Sequence, residues 1–258
     1  MIALHDGHSS LQQRLKELHL PTIRECFLNE ADLARRESLT YEQYLSELTE
    51  RECETRKHNR IARLLRESGL PQEKGMETFD RKRLPVKLNA HVNALLEGSF
   101  LDRAENVLAF GNPGSGKTHL LCAIALELVQ RGRSILFTPC NQLVQNLLVA
   151  KRDLTLSRAL KKITKYDAII IDDIGYVQQS RAEMEVLFTL LADRYERGSV
   201  MLTSNLPFSK WEQIFKDPMT TAAAIDRLVH HSIILELNLP SYRLEKSKQK
   251  ITGEENEC

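Results

Sequence analysis

No apolar run in this 258-residue sequence approaches the length needed to span a bilayer, so a membrane-spanning anchor and a membrane partner are not expected. The first residues, Met1-Ile2-Ala3-Leu4-His5-Asp6, lack a basic segment followed by an apolar one, so no secretory signal is expected. There is no excess of either charge: 36 Lys and Arg stand against 35 Asp and Glu. The overall balance therefore does not demand a nucleic-acid partner, and local patches decide that question. The five cysteines, Cys26, Cys53, Cys122, Cys140 and Cys258, are odd in number and widely spaced. That pattern reads as reduced thiols in the cytoplasm rather than as a disulfide framework or zinc site. Adjacent residues on a helix face different directions, so the pair His230-His231 is not expected to bind a metal. Internal repeats and low-complexity stretches are absent as well.

What is present is a phosphate-binding pattern. Gly111-Asn112-Pro113-Gly114-Ser115-Gly116-Lys117-Thr118 matches G-x-x-x-x-G-K-[ST] at every fixed position. The glycines let successive backbone N–H groups turn inward into an anion nest. Lys117 can reach β- and γ-phosphates, and the Thr118 hydroxyl can ligate Mg²⁺. Chance produces such a pattern in roughly one chain of this length per hundred, so context matters. Val107-Leu108-Ala109-Phe110 before it reads as a buried strand; Leu120, Leu121, Ile124, Ala125 and Leu128 after it fall at helical spacing. That strand–loop–helix frame is the context the motif needs.

The rest of the chain sorts into two regions. Residues 1–70 read as a charged helical domain, with Leu11, Leu15 and Leu18 on one helix and Ile23, Phe27 and Leu28 on the next. Thr40 is a fair N-cap for a third, on which Tyr44, Leu45 and Leu48 form the apolar stripe. Its charges suit either a solvated bundle or a DNA- or partner-binding domain. Residues 71–88 read as a linker carrying Arg81-Lys82-Arg83, either a solubilising cluster or a phosphate contact. From 89 to 258, strands expected at 134–138, 167–171, 199–203 and 233–237 alternate with helices expected at 142–148, 154–163, 183–195, 211–215 and 221–229. Such alternation predicts an α/β fold: a mainly parallel sheet of P-loop type with helices on both faces.

Ile169-Ile170-Ile171-Asp172-Asp173 is a buried strand ending in carboxylates, at the sheet edge where ligands of such folds bind. Asp172 is placed to hold Mg²⁺ and Asp173 to orient or deprotonate an attacking water; the alternative is two solvated turn acids. Leu202-Thr203-Ser204-Asn205 ends the next strand, and Asn205 can reach a γ-phosphate or form an ordinary turn into Leu206-Pro207. On spacing alone Arg227 is a surface arginine or an arginine finger to a neighbouring subunit, and Arg243 a phosphate contact or a surface residue.

Gly111–Thr118, Ile169–Asp173, Leu202–Asn205 and Asp226–Leu228 in this order resemble the AAA+ ATPases of the helicase-loader clade. The stretches 111–120, 171–176 and 204–211 resemble, within that clade, the transposition helper ATPases of the IS21 insertion-sequence family. The resemblance covers nearly the whole chain. It implies an AAA+ domain behind a small helical domain, ATP and Mg²⁺ as cofactors, and Mg-dependent ATP hydrolysis. It implies that residues 111–119, His119 included, bind nucleotide, that Asn205 is a sensor and that Arg227 is a finger acting between subunits. The implied partners are duplex DNA contacted without strong sequence preference, a separate transposase, and further copies of the chain in a ring or filament. Arg158, Lys161 and Lys162 become DNA-contact candidates.

Two departures stand out. Asp173 occupies the position where most AAA+ proteins carry Glu, and fewer than about 25 residues follow the last strand, too few for a C-terminal helical lid. That weakens a sensor role for Arg243. Competing readings are a replicative helicase loader, a P-loop kinase for a small molecule, and a scaffold that binds ATP without turnover. An Arg-rich mobile lid would mark the kinase, and none is visible.

Overall fold

The computed structural model describes residues 2–175, 180–211, 218–242 and 245. The chain divides into two compact units, Met1–Arg63 and Leu64–Cys258. Among the described residues no helix is long and apolar enough to cross a membrane.

The first unit contains α1 (Ile2–Glu17), α2 (Pro21–Glu37) and most of α3 (Tyr41–Ser68). Pro21 opens α2, where its missing N–H is no loss and its fixed φ suits a helix. Thr40 and Gln43 exchange side-chain-to-backbone hydrogen bonds of 3.2 and 2.8 Å, a reciprocal cap on α3. Leu15, Ile23, Phe27 and Leu48 form a small apolar core, and the Tyr44 hydroxyl donates to Phe27 O at 2.8 Å. The buried Glu52 carboxylate accepts the N–H groups of Thr22 (2.9 Å) and Ile23 (3.1 Å), two first-turn donors of α2 that have no helical partner.

The second unit is built on β1 (Asn106–Gly111), β2 (Ile135–Pro139), β3 (Ala168–Ile174), β4 (Ser199–Ser204) and β5 (Ser232–Leu237). All pairings are parallel and the order is β2-β3-β4-β1-β5, so the expected α/β sheet is present. Side chains alternate between faces along each strand. Val107, Ala109, Ile170 and Met201 join one apolar layer with α4 (Val86–Glu97) and α6 (Lys117–Gln130). Leu108, Ile169, Ile171, Val200 and Leu202 join the other, with α7 (Cys140–Arg152), α8 (Leu156–Ile163), α9 (Arg181–Arg194) and α10 (Pro218–Val229). A short α5 (Ser99–Asp102) leads into β1. Burial on both faces is why the central strands β1, β3 and β4 carry continuous apolar runs, while the edge strands β2 and β5 are partly exposed.

Several boundaries differ from the sequence expectation. The helix expected at 154–163 begins at Leu156, because Leu154 takes a left-handed turn conformation, φ 56. The helix expected from Glu183 begins at Arg181, capped by Ser180, whose side chain and that of Glu183 bond each other's backbone N–H. Strand β3 continues past both aspartates, with a register shift between Ile171 and Ile174. Trp211 is fully buried, while most of the helix expected at 211–215 lies outside the described residues.

The most deeply buried charge among the described residues of this unit is Arg194. The Arg194 guanidinium donates to the carbonyls of Ile163, Tyr166, Asp167 and Ser199 at 3.0–3.1 Å. Burial pulls it down to about 10, still charged at neutral pH. It ties the end of α8 to the starts of β3 and β4. Burial also pushes the Cys122 thiol up to about 12, which makes it a packing group. None of the described cysteines, Cys26, Cys53, Cys122 and Cys140, is in a disulfide; Cys258 lies outside the described residues.

Candidate nucleotide site

The phosphate loop leaves the carboxyl end of β1 and runs into the N-terminus of α6, whose unpaired N–H groups and dipole favour an anion there. Two glycines hold backbone conformations that favour glycine, and at Gly111 backbone atoms also leave no room for a side chain. A Cβ on Gly111 (φ 151) would lie 2.2 Å from Leu237 O, and one on Gly114 (φ 79) would lie 2.2 Å from Ser241 Oγ. The Ser115 hydroxyl is buried without a hydrogen-bond partner among the described residues. Lys117 is buried, and its Nζ donates to Gly111 O at 2.8 Å and Asn112 O at 3.0 Å. The ammonium is thus held on the loop's own carbonyls, within the nest a phosphate would enter.

Beside the loop is a cleft of about 200 Å³, with Lys74, Phe79, Arg83, Leu239 and Tyr242 facing Gly114–His119. His119 is fixed by its Nε2, 3.0 Å from Thr78 Oγ1 and 3.2 Å from Gly75 O, and its ring meets Phe79 edge-on at 5.3 Å. Arg83 lies 5.3 Å from the Tyr242 ring centroid and donates to Pro240 O at 2.9 Å. Of the basic cluster 81–83, Arg83 alone lines the cleft; Arg81 instead bonds Asn89 and Asn93.

The Asp172 carboxylate meets the loop at a hydroxyl, and the Asp173 backbone joins it through a second one. Asp172 Oδ1 accepts from Thr118 Oγ1 and from Thr203 Oγ1, each at 2.7 Å. Thr203 Oγ1 in turn accepts the Asp173 N–H at 2.8 Å. That bond anchors an uncommon backbone: Asp173 has φ 66, in the left-handed region few non-glycine residues occupy. Its side chain is exposed, while Asp172 is half-buried. Asn205 follows β4, the strand between β3 and β1, and its Oδ1 is buried with no hydrogen-bond partner among the described residues. An orphaned buried acceptor costs about 1–3 kcal/mol unless a ligand or water completes it. The oxygen donors of Thr118 and Asp172 suit a hard cation such as Mg²⁺.

Arg227 is apart from this group within one chain. It lies on α10, its guanidinium 4.8 Å from the Phe188 ring centroid and its Nη1 donating to Ala223 O at 3.0 Å. Arg158, Lys161 and Lys162 lie on α8, and Arg243 falls outside the described residues. Thr203 and Phe79 carry no role in the sequence reading. Thr203 stands in the polar cluster that ends β4, which is the available signal; nothing local marks Phe79.

A phosphate loop on β1, acidic residues ending β3 and a polar residue ending the strand between them, in the order β2-β3-β4-β1-β5, define an AAA+ P-loop fold. Solved structures share it. DnaI matches with TM-score 0.53 at 23% identity, over 67% of this chain and 94% of that one. DnaA of Aquifex aeolicus, solved with AMPPCP, matches with TM-score 0.55 at 18% identity, over 72% of this chain and 57% of that one. The family model for IstB-like ATP-binding proteins of IS21 matches residues 13–250, and the chain belongs to that family. An insertion-sequence ATP-binding protein of Sinorhizobium fredii is 45% identical, over 89% of this chain and 77% of its own length. The ATP-binding protein of IS21 from Pseudomonas aeruginosa is 36% identical, over 93% and 89%.

Proposed function

We propose that the chain is an ATP-hydrolysing assembly factor for transposition: with ATP and Mg²⁺ bound, copies associate on duplex DNA, remodel it and recruit or stimulate a partner transposase in the cytoplasm. The hydroxyl relay from Thr118 through Asp172 to Thr203 and the Asp173 amide carries this reading. It joins the nucleotide-holding loop to the acid that would act on water. A scaffold that only binds ATP has no need of that connection.

In this reading the N–H nest of residues 111–118 holds the phosphates and Lys117 exchanges loop carbonyls for phosphate oxygens. Thr118 and Asp172 would hold Mg²⁺, which when bound neutralises phosphate charge. Asp173 takes a proton from water as the water oxygen bonds to the γ-phosphorus and the bond to the ADP oxygen breaks. Asn205, with its unpartnered buried oxygen, orients that water or senses the γ-phosphate. Arg227 leaves Phe188 to reach the nucleotide of a neighbouring copy. The helical region 1–70 contacts DNA or the transposase, and Arg158, Lys161 and Lys162 contribute phosphate contacts that are independent of sequence and weaken with salt.

Steady-state phosphate release with and without duplex DNA tests the reading, with Lys117→Ala and Asp173→Asn alongside. We expect DNA to stimulate turnover, Lys117→Ala to lose nucleotide binding or turnover, and Asp173→Asn to bind ATP, lose hydrolysis and stay on DNA. No DNA-stimulated release, or normal turnover in Asp173→Asn, would overturn it.

A further inference from the structure

At the opposite edge of the sheet from the phosphate loop, where β4 and β5 begin, two turns meet. We propose that Glu196, in the turn after α9, and His230 and His231, after α10, form a binding site for one divalent transition-metal ion of the zinc class. A helical His-His pair would point its rings apart, the reason no metal is expected from the sequence. Helix α10 ends at Val229, however, and both histidines lie in a turn with ring centroids 4.1 Å apart. One donor atom from each of the three side chains lies within 4.8 Å of the others. Zinc bonds of about 2.0–2.1 Å require donors roughly 3.4 Å apart, a gap that small rotations of exposed side chains close.

The surroundings prepare the site. Tyr195 Oη lies 3.0 Å from His230 Nδ1, the kind of outer hydrogen bond that orients a ligating imidazole. The turn is pinned beneath. Asn106 N donates to His231 O at 2.7 Å, and the Asn106 carboxamide donates to Leu228 O at 3.0 Å and accepts Val200 N–H at 2.8 Å. Two imidazoles and one carboxylate suit Zn²⁺, or Co²⁺ as its spectroscopic substitute, better than Mg²⁺ or Ca²⁺. Bound there, the ion joins the ends of α9 and α10, two helices of the same face.

Calorimetric titration of the full chain with Zn²⁺, and absorption spectra with Co²⁺, test the site. The expected result is one ion per chain, an imidazole-ligand Co²⁺ spectrum, loss of both in a His230→Ala/His231→Ala variant, and about tenfold weaker binding in Tyr195→Phe. Thiols are the other soft donors, so binding persists when Cys26 and Cys53 are replaced by Ser. Unchanged ATP binding shows that the variants remain folded. The proposal is overturned if the native chain takes up no Zn²⁺, if the double histidine variant binds as the native chain does, or if the Cys→Ser changes abolish binding.

Discussion

The hydroxyl at position 203 donates to Asp172 and accepts from the Asp173 amide, so one oxygen holds the two acids relative to each other. Valine has nearly the same shape but neither bond. Removing them leaves a strained backbone N–H without its partner, at about 1–3 kcal/mol. We expect Thr203→Val to lower kcat for ATP hydrolysis roughly tenfold or more while nucleotide affinity changes only a few-fold, and Thr203→Ser to restore it. Single-turnover hydrolysis beside nucleotide titration separates the two effects; equal loss of both would mean general disruption. The phosphate loop was legible in the sequence because all its parts are contiguous. Thr203 was not, because its partners sit on a neighbouring strand and its role exists only once β3 and β4 are in register. Likewise Arg194 reads as one more charge on a helix; only the fold turns its guanidinium onto carbonyls from three other segments.

Among elements, helices and strands with strong periodicity were readable, and errors gathered at their ends, where a left-handed Leu154 or a capping Ser180 decides the boundary. The start of α2 shows what such ends can do. Burial alone would raise the Glu52 carboxyl, but Arg56 together with the Ile23 and Thr22 N–H groups outweighs it and holds the group below the usual carboxylate range. A carboxylate depressed in the folded state gives stability that is present above its unfolded value and is lost as pH falls through the folded one. Protection of the Thr22 and Ile23 amides from hydrogen exchange, corrected for intrinsic rate, is therefore expected to persist at neutral pH and fade below the ordinary carboxylate range. Glu52→Gln, which keeps the shape and drops the charge, should weaken protection at neutral pH and flatten that dependence. An acid profile identical in both proteins would show that Glu52 is not the group responsible.

For the whole molecule, the position of Arg227 matters most. It stacks on Phe188 and is absent from the residues that line its own chain's cleft. If it serves a neighbour, then Arg227→Ala chains still offer an intact phosphate loop, and Lys117→Ala chains still offer an intact finger. Mixing the two inactive variants is expected to give more DNA-stimulated hydrolysis than the sum of each alone, because some junctions pair the sound half of each. Failure of that rescue, with both variants folded and assembling, would place Arg227 outside the reaction.

The strand order also sets a timetable for synthesis. β1 leaves the ribosome first among the strands, yet both its neighbours, β4 and β5, are made last. Gly111, where the phosphate loop begins, leans on the carbonyl of Leu237, the final residue of β5. Contacts so distant in sequence form late and slowly. A nascent chain therefore carries every residue of its phosphate loop for more than a hundred codons before the surface that shapes the loop exists, and through that interval β1 stays exposed to wrong pairings.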